Sequence, residues 1–173
     1  MAYVDKDSRS VDWQLNESGI VVWPIGAFEQ HGYHMPLNTD NIQAEYFGKY
    51  LAKRLDAALL PALPFGTSLE HAGFRGSITL SPELMMGMVA HMADELEAQN
   101  FHTLIIMNGH GGNFSIAPKV REINRQDRPI KILIVRPWEH TTAFSGNEIH
   151  SGEFETSVLL EIEPKLVGDD RRD

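Results

Sequence analysis

Glu29 and His31 stand two residues apart in the stretch GAFEQHG (Gly26 to Gly32), directly after the apolar run Ile20 to Pro24. In an extended chain residues i and i+2 project to the same side, so a carboxylate and an imidazole can enter one site together. Asp40 follows at the mouth of a helical pattern, and His110 sits among three glycines in NGHGGN (Asn108 to Asn113). His150, Glu153 and Glu155 lie together in IHSGEFETS (Ile149 to Ser157). Imidazole mixed with carboxylate suits Zn, Mn or Fe. With 0 cysteines, a thiolate site or thiol nucleophile is excluded. The chemistry this points to is hydrolysis at a mononuclear or dinuclear metal centre, with a metal-activated water as nucleophile.

Some of these residues also have ordinary structural readings. Asp40 could cap the helix it precedes. Of the two glutamates, Glu155 fits the favourable first turn of a helix running into Val158 to Ile162, and Glu153 fits the site. The glycines around His110 allow close backbone approach and positive φ. They could also cradle phosphate, but neither a P-loop Lys-Ser/Thr nor GxGxxG spacing is present, and nearby carboxylates would repel an anion. No GxSxG elbow supports a serine hydrolase. His91, His102 and His140 read as packing or surface residues, and Met85, Met86, Met88 and Met92 as a core or subunit-packing stripe.

The elements that must position these groups are legible from periodicity. Ile20–Pro24, Leu59–Leu63, Thr103–Met107 and Lys131–Val135 read as buried strands. Between them, Ser81–Asn100 reads as a helix with Ser81 as N-cap and Pro82 as first helical residue. Asn41–Leu55 and Asn113–Gln126 read as helices too. Strands alternating with helices predict an α/β fold with a mostly parallel sheet covered on both faces, as one domain over residues 1–173. The chemistry-bearing loops then converge beyond the carboxyl ends of the strands.

Composition narrows the partners. The chain has 173 residues, 24 acidic against 15 basic, and a formal charge of −9. That balance argues against nucleic acid and anionic lipid as partners. The N-terminus carries charges without an apolar h-region, and no apolar run approaches the roughly 18 residues of a membrane span, so no membrane association is expected. Absent cysteine suits a cytoplasmic setting.

Four segments together, PIGAFEQHGYHMPLNTD (Pro24 to Asp40), GTSLEH (Gly66 to His71), NGHGGN and HSGEFETS (His150 to Ser157), resemble the creatininase (creatinine amidohydrolase) family, in the family's order. The resemblance runs from about Val21 to about Leu166 and implies a three-layer α/β/α fold, a dinuclear metal centre, hydrolysis of a C–N bond in a small amide, and a homo-oligomer. Carried over by motif, Glu29, His31, Asp40 and His110 become ligands to two divalent ions, Zn foremost with Mn or Fe as alternatives. Asp40 becomes their bridge and His150 a proton shuttle. Gln30, Glu70 and His71 become neighbours that orient ligands. Two departures stand out: Gly112 occupies the place of a metal-binding glutamate in creatininases proper, with Glu153 taking over its role, and Phe144-Ser145-Gly146-Asn147 stands where those enzymes carry a tryptophan lid, which points away from creatinine as substrate. A metal-binding protein without hydrolytic activity would keep the four ligands but have no need of His150.

Overall fold

A computed structural model describes residues 3–140 and 149–171. After a short helix α1 (Ser10–Gln14), the chain alternates β1 (Ile20–Ile25), α2 (Thr39–Leu55), β2 (Ala58–Leu59), α3 (Pro82–Ala98), β3 (Thr103–Asn108), α4 (Ile116–Asn124), β4 (Lys131–Val135) and α5 (Glu153–Ile162). The four strands form one parallel sheet in the order β2-β1-β3-β4. Along β1 and β3 the register runs from Ile20 opposite Thr103 to Ile25 opposite Asn108.

Successive residues of a strand point to opposite faces, and here both faces are apolar. Val21, Trp23, Ile25, Leu104 and Ile106 share a core with Met85, Val89, Ala93 and Leu96 of α3 and Ile116, Val120 and Ile123 of α4. Val22, Ile105 and Met107, the alternate set, join Ala52 of α2 with Phe47 and Leu51 packed against them. Helix α5 lies against α2. The result is three layers, α2 and α5 on one face of the sheet and α3 and α4 on the other. Met85 is wholly buried, and Met88 and Met92 pack against the same core, as the stripe reading expects.

The chain leaves β1 towards β2 through α2 and returns to β3 through α3 on the other face, so the winding direction reverses between β1 and β3. In open α/β sheets ligands bind at this switch point. The loops carrying Glu29, His31 and His110 follow β1 and β3, the two strands that flank it.

Helix α3 begins as its sequence predicts: Leu84 N–H donates to Ser81 Oγ at 3.2 Å, Pro82 is the first helical residue, and Asn100, just past the end, has a left-handed φ of 65°. Two expectations need correction. The strand read at Leu59–Leu63 pairs in regular ladder only at Ala58 and Leu59, because Pro61 has no N–H to donate; Leu60 and Leu63 still donate to Val22 and Pro24 on β1. Helix α2 starts at Thr39, before the expected Asn41, which puts Asp40 inside the first turn. Asn38 takes the N-cap position, so Asp40 is not the cap.

Candidate metal centre

From Phe28 the chain runs extended after β1, with Glu29 and His31 buried and Gln30 between them only partly covered, the alternation that their spacing requires. The main chain is pinned on both sides: Glu29 N–H donates to Leu37 O at 3.1 Å and Gln30 N–H to Ser77 Oγ at 3.0 Å. Helix α2 brings Asp40 to His31, and the loop after β3 brings His110 to both. Gly109 permits this approach, since a Cβ there would lie 2.4 Å from Asp40 O. The positive φ expected around His110 is not what these glycines supply; the positive-φ glycines among the described residues are Gly19, Gly32, Gly73 and Gly76.

Asp40 divides its two oxygens. Oδ1 stands 3.1 Å from His31 Nε2 and Oδ2 stands 3.0 Å from His110 Nδ1. Each imidazole is turned by its other nitrogen: His31 Nδ1–H donates to Glu29 O at 3.1 Å, and His110 Nε2–H donates to Thr67 O at 2.9 Å. That arrangement aims the remaining nitrogen of each ring at the shared carboxylate, the usual way a protein orients imidazole ligands. Glu29 closes the His110 side, its Oε2 3.3 Å from His110 Nε2. Both Glu29 oxygens are buried without a well-formed hydrogen bond, and Asp40 Oδ2 has only the His110 imidazole against it. Buried carboxylate oxygens without donors are costly unless a cation meets them, so the donor set fits divalent metal ions.

Without metal, the cluster shares protons. Burial opposes charge on His31 and His110, but the Asp40 carboxylate against both rings outweighs it and pushes each up to about 9. Burial alone would raise Asp40; the two imidazoles hold it well below the usual carboxylate range instead. Glu29 is raised, chiefly by burial.

The third carboxylate comes from α5, and here the sequence reading is corrected. Glu153, expected as the ligand, is the first helical residue and lies exposed. Glu155 is the residue that reaches the cluster, its Oε1 3.8 Å from His31 Nε2. Two positions along an α-helix are about 200° apart, so only one of the pair can face inward. Glu155 also lies in the first turn of α5, as expected, and its Oε2 accepts the N–H of Ser151 just before the helix at 2.6 Å. Burial and the charge of Asp40 push its carboxyl up to about 7. Gly112 cannot host a side chain in this loop: a Cβ would lie 2.4 Å from both His110 Nε2 and Thr67 O.

His150, on the segment before α5, donates from Nε2 to Gln30 O at 2.7 Å, and its Nδ1 stands 3.6 Å from Glu29 Oε1. Burial and the nearby charge of His31 push it down to about 4. His71, on the 3₁₀ turn Leu69–His71, lies beside it, Nε2 3.4 Å from Glu29 Oε1 and Nδ1 accepting from Gln30 Nε2 at 3.0 Å. Glu70 is exposed next to His71, with its Oε1 beside Gly112 of the His110 loop. Phe144 to Asn147, which stand in place of the tryptophan lid of creatininases proper, lie outside the described residues. His91 and His102 are on the surface, as expected.

Sequence reasoning missed two supporting residues. Thr67 holds the His110 loop from three atoms: its carbonyl accepts from His110, its hydroxyl donates to Gly112 O, and its N–H donates to Asn113 Oδ1. His34 is buried and its Nε2 pairs with Thr156 Oγ1 at 2.9 Å, joining the β1–α2 loop to α5. GTS and HMP, the triplets that contain them, carry no spacing that marks either.

The chain is similar in sequence and fold to known proteins. The chain is 31% identical over 161 residues to a mycofactocin precursor peptide peptidase of Mycobacterium ulcerans, covering 87% of this chain and 61% of that protein, so it spans about three-fifths of that relative's length. It is 30% identical over 175 residues to a creatinine amidohydrolase of Pseudomonas putida, covering 88% and 67%. A crystal structure of creatinine amidohydrolase superposes with a TM-score of 0.85 at 26% identity, covering 97% of this chain and 75% of that one. The family described as creatinine amidohydrolase matches residues 7–173, and with the three-layer fold beneath it the chain belongs to the creatininase family.

Proposed function

We propose that this chain is a metal-dependent amidohydrolase that hydrolyses the C–N bond of a small amide, cyclic amide or formamide at a pair of divalent ions, Zn foremost, with Mn or Fe as alternatives. The observation that carries it is the division of Asp40 between His31 and His110, beside two buried Glu29 oxygens that no well-formed hydrogen bond satisfies. Glu29, Asp40 and His110 would hold one ion, and His31, Asp40 and Glu155 the other. A pair so bound lowers the pKa of water towards neutrality and polarises the scissile carbonyl. Structural relatives named as a Mn creatininase and as a Zn-Zn type support both metals.

The chain's own residues supply the proton handling. His150 Nδ1 faces Glu29 Oε1, and because Nε2–H donates to the Gln30 carbonyl that nitrogen is bare, placed to take a proton from the nucleophile and return it to the leaving nitrogen. This placement favours an enzyme over a metal-binding protein without catalysis. The relatives act, by their names, on a peptide, on creatinine and on a formylamino-pyrimidine nucleotide; this chain is assigned to an amide other than creatinine. A homo-oligomer in the cytoplasm belongs to the same reading, with light scattering as the test of assembly.

Elemental analysis of the purified protein should return up to two divalent ions per chain, and chelation should abolish turnover on a panel of formamides, cyclic amides and short peptides. Metal-free protein whose turnover ignores a chelator overturns the proposal. A kcat/KM for creatinine of about 10⁴ M⁻¹s⁻¹ or more, the ordinary enzymatic range, overturns the substrate assignment.

A further inference from the structure

Gln30 touches two histidines with different parts of itself. Gly32 N–H stands 3.0 Å from Gln30 Oε1, and a backbone N–H can only donate, so the amide is oriented with its nitrogen towards His71. That nitrogen, Nε2, donates to His71 Nδ1 at 3.0 Å. His71 Nδ1 therefore accepts, and the proton of the neutral ring sits on Nε2, facing Glu29 Oε1 across 3.4 Å. On the main chain, the Gln30 carbonyl can only accept, and His150 Nε2 lies 2.7 Å from it. His150 thus carries its proton on Nε2 and turns a bare Nδ1 to the same Glu29 oxygen at 3.6 Å. The two rings lie nearly parallel, centroids 4.3 Å apart.

We propose that Gln30 and His71 are positioning residues that set Glu29 and His150 in complementary roles: the Gln30 side chain makes His71 a donor to Glu29 Oε1, and the Gln30 carbonyl makes His150 present an acceptor beside it. The proposal deepens the hydrolase reading and rests on it. Glu29 then offers Oε2, on the His110 side, to an ion, while Oε1 faces the His71 N–H across 3.4 Å. The 3.4 Å separation is longer than a formed hydrogen bond, as contacts of this kind often are before ligands are in place. Glu29, His71 and His150 form a compact group. Its ligand atoms lie within 4.8 Å of one another, close enough to suggest a further ion. A proton on His71 Nε2 removes one of the three ligand atoms, so the group turns an N–H towards Glu29 and holds no metal.

The proton positions are read directly by two-bond ¹H–¹⁵N correlation spectra of protein labelled at histidine, metal-free and loaded with zinc. Both rings should show protonated Nε2 and bare Nδ1, with zinc binding saturating at two ions. Gln30→Glu turns a donor into an acceptor and should move the His71 proton to Nδ1; Gln30→Met should leave His71 a mixture of tautomers. Neither variant alters the backbone carbonyl, so His150 should stay as it is in both. Gln30→Met should also lower kcat by about 10–100-fold, the usual effect of losing a group that orients a ligand, with KM and zinc content little changed. His71 protonated at Nδ1 in the parent chain, a third tightly held zinc, an unmoved His71 in Gln30→Glu, or an unchanged kcat in Gln30→Met overturns the proposal. The tautomer spectra need no substrate, so their failure is distinct from failure of the hydrolase reading, which would show as a parent chain without metal or turnover.

Discussion

Ser151 donates its backbone N–H to Glu155 Oε2 at 2.6 Å, and it does so from a left-handed backbone, φ 53°. The turn that places this N–H also leaves Glu155 Oε1 pointing at His31. Glu155→Gln keeps an oxygen for the N–H while removing the charge, so the helix start should survive and the ion on the His31 side should be lost. Glu153→Gln should leave both ions and cost about 1 kcal/mol or less as a lost helix-end charge. Elemental analysis beside thermal denaturation checks both; the reverse pattern would return the ligand role to Glu153.

Asp40→Ala should remove both ions together, because each of its oxygens faces a different imidazole. Circular dichroism must show the fold retained. Loss of a single ion would mean that Asp40 serves one side only.

The protons held by the metal-free cluster predict a pH signature. His31 and His110 are raised from the ordinary 6.5 to about 9 in the folded chain. Their contribution to stability is therefore fully present below pH 6.5 and is lost as pH rises through 9. Metal-free protein should melt at progressively lower temperature over that window, and metal binding within it should release protons, since both rings must be neutral to ligate. Calorimetry at pH 7.5 in buffers of different ionisation enthalpy measures the release. A binding heat that is the same in every buffer would sink this account.

Gly112→Ala tests the crowding in the His110 loop. The added methyl would press on His110 Nε2 and Thr67 O, both 2.4 Å from its ideal position. A destabilisation of about 1–3 kcal/mol, typical of overpacking, should accompany weaker metal binding. A variant as stable as the parent would show that the loop gives way freely.

His150→Ala should depress turnover about 10²–10⁴-fold, the range for a lost general acid or base, with metal content unchanged. Metal loss in this variant would recast His150 as a ligand.

What was legible in the sequence is what local chemistry decides. Ser81-Pro82 announces α3, and the apolar runs at Ile20, Thr103 and Lys131 announce three strands, because caps and buried strands are written in neighbouring residues. The grouping of Glu29, His31, Asp40 and His110 followed from strand-end loops converging at one edge of a parallel sheet. The choice between Glu153 and Glu155 was not legible that way: it depends on which residue starts α5, and a shift of two positions turns the helix to its other side. Pro61 hid the short reach of β2 inside an apolar run, since hydrophobicity does not record a missing N–H.

Because its final carboxylate comes from α5, the centre is assembled in an order set by synthesis. Glu29, Asp40 and His110 all lie within the first 110 residues, together with β1, β2 and β3. Glu155 reaches His31 only after β4 and the segment bearing His150 have left the ribosome. On the dinuclear reading proposed above, the second ion would find its full set of ligands only when the last helix docks on α2, so occupancy of the His31 side would report completion of the fold.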